Sequence, residues 1–260
     1  VNFETQAPQL LLSYCQSKNY NLDTIEKLAK NSWRVAGKTD NRQYILKRAR
    51  DPKEQYFLQN ELYWLTSLPA ISGNREVSLE RYDNWQLLVC NYLCGESLAQ
   101  VLRRSLSQPK HGQCLAPLIV QLWLIIKNCH AHNCVHGDLK PSNLLLVSGQ
   151  LTPIDFANAR LLGSDDSARP YFSYSPSYSL AEQRLGLGKA SVCQDWFSFF
   201  TLLEIAMQAQ PATVDWTRAR PLAGVFDASL EMFCKSGYAS DEAQQGLHRQ
   251  LDSLRQLQAL

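Results

Sequence analysis

Charge of one sign is almost missing from this chain: 26 Lys and Arg stand against 24 Asp and Glu, a formal net of +2 over 260 residues. No global field therefore draws it to nucleic acid or to an anionic lipid surface. Long apolar runs are missing too. The longest, Leu115 to Ile126, is interrupted by Gln121 and falls short of the ~20 residues a membrane span needs. Leu10 to Leu12 is too short for the core of a signal peptide. The first residue is Val1, so these statements cover this chain and nothing outside it. They carry the expectation of a cytoplasmic protein with no membrane span in this chain. No internal repeat and no block of like charge is found. The eight cysteines (Cys15, Cys90, Cys94, Cys114, Cys129, Cys134, Cys193, Cys234) include no CxxC pair, which excludes the usual zinc and dithiol spacings. Several sit inside apolar runs and read as buried, reduced thiols.

What is present suits a globular chain: 45% hydrophobic residues, and a length that supports one large domain or two lobes. Disorder, collagen-like repeats and a coiled coil are excluded. Residues 1–19 read as a polar, Gln-rich lead-in with one apolar turn, Leu10 to Tyr14. Ile25–Ala29, Trp33–Gly37 and Gln43–Lys47 read as antiparallel strands, the last two joined by the turn-prone run Gly37 to Asn41. Asp51-Pro52 opens a helix with Phe57, Leu58, Leu62, Leu65 and Leu68 at helical spacing, stopped by Pro69. Two further strands are expected near Val77–Leu79 and Gln86–Cys90. Beyond Tyr92 the pattern turns helical: Ser97–Leu106, Leu115–His132, Asp195–Met207, and an amphipathic tail from Ala239. Between them lie a hairpin, Leu144–Val147 and Leu151–Ile154 around Ser148-Gly149-Gln150, and a Ser/Tyr/Pro-rich loop over 163–180.

One stretch carries chemistry: His136-Gly137-Asp138-Leu139-Lys140-Pro141-Ser142-Asn143, with Ile154-Asp155-Phe156-Ala157 just past the hairpin. Phosphoryl transfer needs a carboxylate to orient a hydroxyl and take its proton. It also needs an amide oxygen and a second carboxylate to hold Mg²⁺, and a cation beside the transferring group. Asp138, Asn143, Asp155 and Lys140 supply those types. The hairpin folds Asp155 back toward Asn143. Taken singly, Asp138 would read as a solvated turn, Asp155 as a helix cap and Lys47 as a strand-edge charge; their joint order and spacing set those readings aside.

His-x-Asp-x-Lys-x-x-Asn followed by Asp-Phe-x resembles the eukaryotic-like protein kinase superfamily over most of the chain. The resemblance implies an α+β, bilobal kinase fold, with an antiparallel-sheet lobe over 20–90 and a mainly helical lobe over 91–260. It implies Asp138 as catalytic base, Lys140 beside the γ-phosphate, and Asn143 and Asp155 as Mg²⁺ ligands. Lys47 is implied to hold the α- and β-phosphates of ATP, with Glu61 as its partner in preference to Glu54, which sits near a helix start as a dipole complement. Cys90, Asn91, Tyr92 and Leu93 resemble the strand and hinge that meet adenine, and Glu96 a residue in reach of the ribose. Ala181-Glu182 resembles the end of an activation segment, and Asp195 the start of the helix anchoring the catalytic loop.

Three departures shape the expectation. Leu28 to Arg34 contains no glycine, so phosphate contacts fall to the backbone of Lys30-Asn31-Ser32 and to the side chains of Asn31 and Ser32. This shorter loop resembles that of aminoglycoside and choline kinase-like phosphotransferases. Ala157 stands where glycine is usual. Gly137 stands where many regulated kinases carry arginine, which argues against control by a loop phosphate on that residue. His136 reads as a structural histidine, and His130 and His132 as helix-end residues. Ser173, Ser175, Ser177 and Tyr178 read as loop first and as autophosphorylation sites second. Arg220 and Arg249 are candidate partners of Glu182. The sequence thus points to ATP- and Mg²⁺-dependent transfer to Ser/Thr of a protein substrate, without nucleic acid. The alternatives are a small-molecule phosphotransferase and a nucleotide-binding or inactive scaffold.

Overall fold

The computed structural model describes residues 8–107 and 115–209. The chain forms two compact units that divide between Cys94 and Gly95. The tail from Ala239, Arg220, Arg249, Cys114 and Cys234 lie outside the described residues.

The first unit runs through α1 (Gln9–Ser17), β1 (Tyr20–Ala29), β2 (Ser32–Gly37), β3 (Gln43–Ala49), α2 (Pro52–Ser67), β4 (Val77–Tyr82) and β5 (Trp85–Asn91). Its five strands make one antiparallel sheet in the order β1-β2-β3-β5-β4. Helix α2 starts where the sequence places it. Asp51 Oδ1 accepts the Glu54 N–H at 2.8 Å, and Pro52, lacking an N–H of its own, occupies the first turn. The helix ends at Ser67, two residues before Pro69.

Within the expected lead-in, Gln9–Ser17 is helical. Leu11, Tyr14 and Cys15, at i, i+3 and i+4, are 0% exposed and pack on Trp33, Val35, Leu46, Leu87 and Val89. The Tyr14 hydroxyl donates to Glu80 at 3.1 Å, and Lys18 meets the same carboxylate at 2.6 Å. Burial and the neighbouring Glu80 push the Tyr14 phenol far up, so it stays a neutral donor. Successive strand residues point to opposite faces. Leu46 therefore lies under α1, while Lys47 faces α2.

The second unit contains β6 (Glu96–Ser97), α3 (Leu98–Ser107), α4 (Ala116–Ala131), β7 (Cys134–Val135), β8 (Leu144–Val147), β9 (Gln150–Pro153), β10 (Arg160–Leu161), α5 (Ala181–Leu185) and α6 (Val192–Ala209). Leu118, Leu122 and Ile126 of α4 share one core with Trp196, Phe199, Phe200 and Leu203 of α6. The β8–β9 hairpin turns at Ser148 and Gly149, both with positive φ (50° and 82°), as a two-residue hairpin demands. Gln121, the polar break in the apolar run, clamps it: its side chain accepts from Leu151 N at 2.6 Å and donates to Gly149 O at 3.2 Å.

Among the described residues six cysteines are free thiols, all buried except Cys94. Among the described residues no helix is long and apolar enough to cross a membrane.

Candidate active site

In the second unit the loop after β7 carries Asp138, Lys140 and Asn143, and the residue two past β9 is Asp155. A buried carboxylate organises the loop. Asp195, 0% exposed in the first turn of α6, accepts His136 N at 2.9 Å, Gly137 N at 2.8 Å and His130 Nε2 at 3.0 Å. Burial pushes this carboxyl up. The hydrogen bond and charge of His130, with the Gly137 amide, outweigh burial and hold it below the usual carboxylate value. His130 was expected only to complement the helix end; the structure makes it a partner of Asp195. His132 keeps the helix-end role, with Nδ1 2.8 Å from Asn128 O. His136 is structural as expected: its ring lies 4.7 Å from that of the fully buried Phe156, and Nε2 is 3.3 Å from Ile154 O.

Asp138 is 6% exposed, and each carboxylate oxygen has a defined neighbour. Oδ2 accepts from Lys140 Nζ at 2.8 Å and from Asn143 Nδ2 at 3.2 Å, while Oδ1 accepts from the Ser175 hydroxyl at 2.6 Å. Lys140 Nζ also donates to Ser175 Oγ at 2.9 Å. A serine hydroxyl thus sits on the Asp138–Lys140 pair. The sequence grouped Ser175 with three other loop hydroxyls; a contact across 37 residues leaves no local signal to single it out.

Asn143 ends a short 3-10 turn over Pro141–Asn143. Its Nδ2 donates to the Asp138 carbonyl at 3.0 Å as well as to the carboxylate, which turns Oδ1 away from Asp138 as an acceptor. Ile154 N donates to Asn143 O at 2.9 Å, extending the hairpin pairing to the residue before Asp155. Asp155 adopts a left-handed conformation, φ 64° and ψ 66°, which Asp tolerates better than most side chains. An amide oxygen and a carboxylate on tied backbones suit a hard, oxygen-seeking cation such as Mg²⁺, which takes few protein ligands when a nucleotide supplies others. Among the described residues no cluster of three or more His, Cys, Asp or Glu makes a separate metal centre.

In the first unit Lys47 Nζ meets both oxygens of Glu61, at 2.7 and 2.8 Å, and Glu61 is 1% exposed on α2. Glu54 has a different task. Its Oε1 accepts from Asn31 Nδ2 and its Oε2 from Arg50 N at 2.9 Å. Asn31 Oδ1 accepts from Arg48 Nη2 at 2.9 Å, and the Arg48 guanidinium lies 5.1 Å from the ring centre of Trp33 and 4.6 Å from that of Trp85. The Asn31 side chain is therefore engaged within its own unit. Ser32 lies opposite Lys47 in the sheet. On β5, Cys90 is 1% exposed, and burial pushes its thiol up. Asn91 and Tyr92 donate their N–H groups to Glu76 O (3.2 Å) and Gln43 O (2.8 Å), ahead of Leu93. The Tyr92 ring lies 5.0 Å from the Arg34 guanidinium. Glu96, in the second unit, accepts from Arg104 Nη1 at 2.6 Å.

An antiparallel-sheet unit followed by a mainly helical unit, with an Asp–Lys–Asn loop anchored by a buried carboxylate, is the architecture of a protein-kinase-like fold. Residues 33–243 match the protein kinase domain, and the chain belongs to that family. It is 30% identical over 139 residues to the serine/threonine-protein kinase mph1 of Schizosaccharomyces pombe, covering 51% of this chain and 20% of that protein. It is 24% identical over 185 residues to the serine/threonine-protein kinase Nek3 of Oryza sativa subsp. japonica (67% and 31%), and 45% identical over 80 residues to cyclin-dependent kinase 20 of Rattus norvegicus (28% and 21%). The matched stretches span 20% to 31% of these curated relatives.

Proposed function

We propose that this chain transfers the γ-phosphoryl group of ATP to serine or threonine hydroxyls of a protein substrate. The observation that carries the reading is the Ser175 hydroxyl seated 2.6 Å from Asp138 Oδ1 and 2.9 Å from Lys140 Nζ. A site that already holds an aliphatic alcohol between a carboxylate and an ammonium holds an incoming one within proton-transfer reach. In the reaction Asp138 orients the acceptor hydroxyl and takes its proton as the new O–P bond forms. The bond from the γ-phosphorus to the bridging oxygen breaks, and ADP leaves. Lys140 neutralises the transferring group. Asn143 and Asp155 are the residues that would hold Mg²⁺, which supplies charge neutralisation on the triphosphate when bound. Lys47, set by Glu61, is assigned the α- and β-phosphates, and Ser32 and the turn amides the phosphate contacts left by the missing glycines. The hinge assignment stays with Cys90, Asn91, Tyr92 and Leu93; since the Asn91 and Tyr92 amides are used in the sheet, Leu93 is the amide assigned to adenine. Glu96 is assigned to the ribose in competition with Arg104. The buried free thiols support a reducing, cytoplasmic setting.

The test is the intact mass of the chain, and of an added protein substrate, after incubation with Mg²⁺ and ATP, beside Asp138→Asn. Phosphate gained with the parent and absent with Asp138→Asn is the expected result. Equal gain with both removes Asp138 as the base. A second reading, a nucleotide-binding or inactive scaffold, is favoured by one observation: Asn31 is engaged by Glu54 and Arg48. Under that reading neither protein gains phosphate. Stabilisation by Mg²⁺ and ATP in a thermal shift then separates a scaffold that binds nucleotide from one that does not.

A further inference from the structure

The transfer chemistry leaves unused a second group of buried charges in the same unit. Arg160 on β10 is 6% exposed and Asp166 is 3% exposed. Arg160 Nη1 donates to both Asp166 oxygens, and Nη2 donates to Gln194 Oε1 at 2.6 Å. Gln194 Nε2 returns a bond to Asp166 Oδ2 at 3.3 Å, and Arg169 Nη1 lies 3.9 Å from Asp166 Oδ1. Burying such a pair costs enough desolvation that apolar residues of the same volume would serve stability as well. What the pair adds is direction, because a guanidinium fixes its partners in a plane.

The partners come from three segments. Gln194 precedes Asp195, the carboxylate that receives the His136 and Gly137 amides. Asp166 belongs to a stretch stitched to residues 188–190: Asp166 N donates to Gly188 O at 2.9 Å, Gly163 N to Ala190 O and Ala190 N to Ser164 O, both at 2.8 Å. The third contact is with the loop itself. At Gly137, φ +72°, a methyl group would lie 2.6 Å from Arg160 Nη2 and 3.0 Å from Asn158 O. The guanidinium therefore occupies the space a side chain at 137 would need. Gln183 closes the circle by donating from Nε2 to Gly137 O.

We propose that Arg160 and Asp166 form a built-in latch that positions the His136–Gly137 backbone, and through it the direction of Asp138. Both members are encoded side chains, so the loop is set in the unmodified chain, without a phosphate on the 163–180 segment. The two are positioning residues, and their catalytic effect rests on the reading of Asp138 as base.

The test uses the full chain carrying Arg160→Met with Asp166→Leu, an apolar exchange expected to keep the fold, and separately Asp166→Asn, which keeps the shape. Hydrogen exchange of the segment containing His136 to Leu139 is measured beside kcat and the KM for ATP. Expected are faster exchange confined to that segment and to 163–166, and a kcat lowered about 10²-fold with KM unchanged. Phosphatase-treated parent is expected to keep its full rate. Unchanged exchange and unchanged kcat in both variants would overturn the latch. So would a parent whose rate vanishes on phosphatase treatment. A parent that never transfers phosphate refutes the functional reading alone; the exchange measurement then decides the latch by itself.

Discussion

Asp195→Asn puts the anchoring of the loop to a quantitative test. The carboxylate offers two oxygens to three donors: His136 N, Gly137 N and His130 Nε2. An amide of the same shape offers one oxygen, and its NH₂ must face at least one of those donors. One buried donor left unsatisfied costs about 1–3 kcal/mol. Loss of charge from the remaining bonds brings the total to about 3 kcal/mol. For a chain of this size that lowers Tm by about 6–12 °C. The pH dependence has a fixed sign. Because the folded carboxyl sits below its ordinary value, its contribution is fully present above the unfolded value of about 3.9. It is lost as pH falls through the lower folded value. The gap between parent and variant should close as pH falls below the ordinary carboxylate value. Differential scanning calorimetry across that range measures it. A variant that melts with the parent at neutral pH, or a gap that widens in acid, would refute the account.

Other sites give sharper local outcomes. Gly137→Ala adds a methyl against Arg160 at a positive φ and should cost at least about 1 kcal/mol, read by urea denaturation, and slow transfer. Leu11→Ala opens a cavity under α1 and should destabilise the first unit by about 2–5 kcal/mol, seen as an early transition in the same experiment. Lys47→Met removes the cation that Glu61, 1% exposed, now meets, and should cost about 3 kcal/mol; a melt no lower than the parent's would mean that the pair does not hold α2 on the sheet.

Much of this was legible in the chain. The strands from Trp33 to Lys47, the capped start at Asp51-Pro52 and the Ser148-Gly149 hairpin follow from local rules that the sequence states in place. So does the cluster from His136 to Asn143, because its members lie within one loop. What was missed lies in contacts between distant segments. Five apolar residues among Gln9–Ser17, three of them at helical spacing, do not announce a helix until a sheet face is there to cover them. Ser175 is one hydroxyl in a loop of several. Arg160 and Asp166 look like ordinary surface charges six residues apart, and their burial comes from segments distant in sequence: β7 beside Arg160, Gln194 against both, and Gly188 bonded to the Asp166 backbone. Gln121 looked like an interruption and is a clamp. A polar residue inside an apolar run signals a bonding partner without saying where it is.

The docking of α1 has a practical side. The kinase-domain match begins at Trp33, inside β2, whereas the sheet begins at Tyr20 and its covering helix at Gln9. A recombinant fragment trimmed to the matched range would lose both. It would leave β2 as a bare edge and would uncover Trp33, Val35, Leu46, Leu87 and Val89 together. Such an edge beside an apolar face is a template for self-association. Fragments that start at or before Pro8 should remain monodisperse where those that start at Trp33 precipitate.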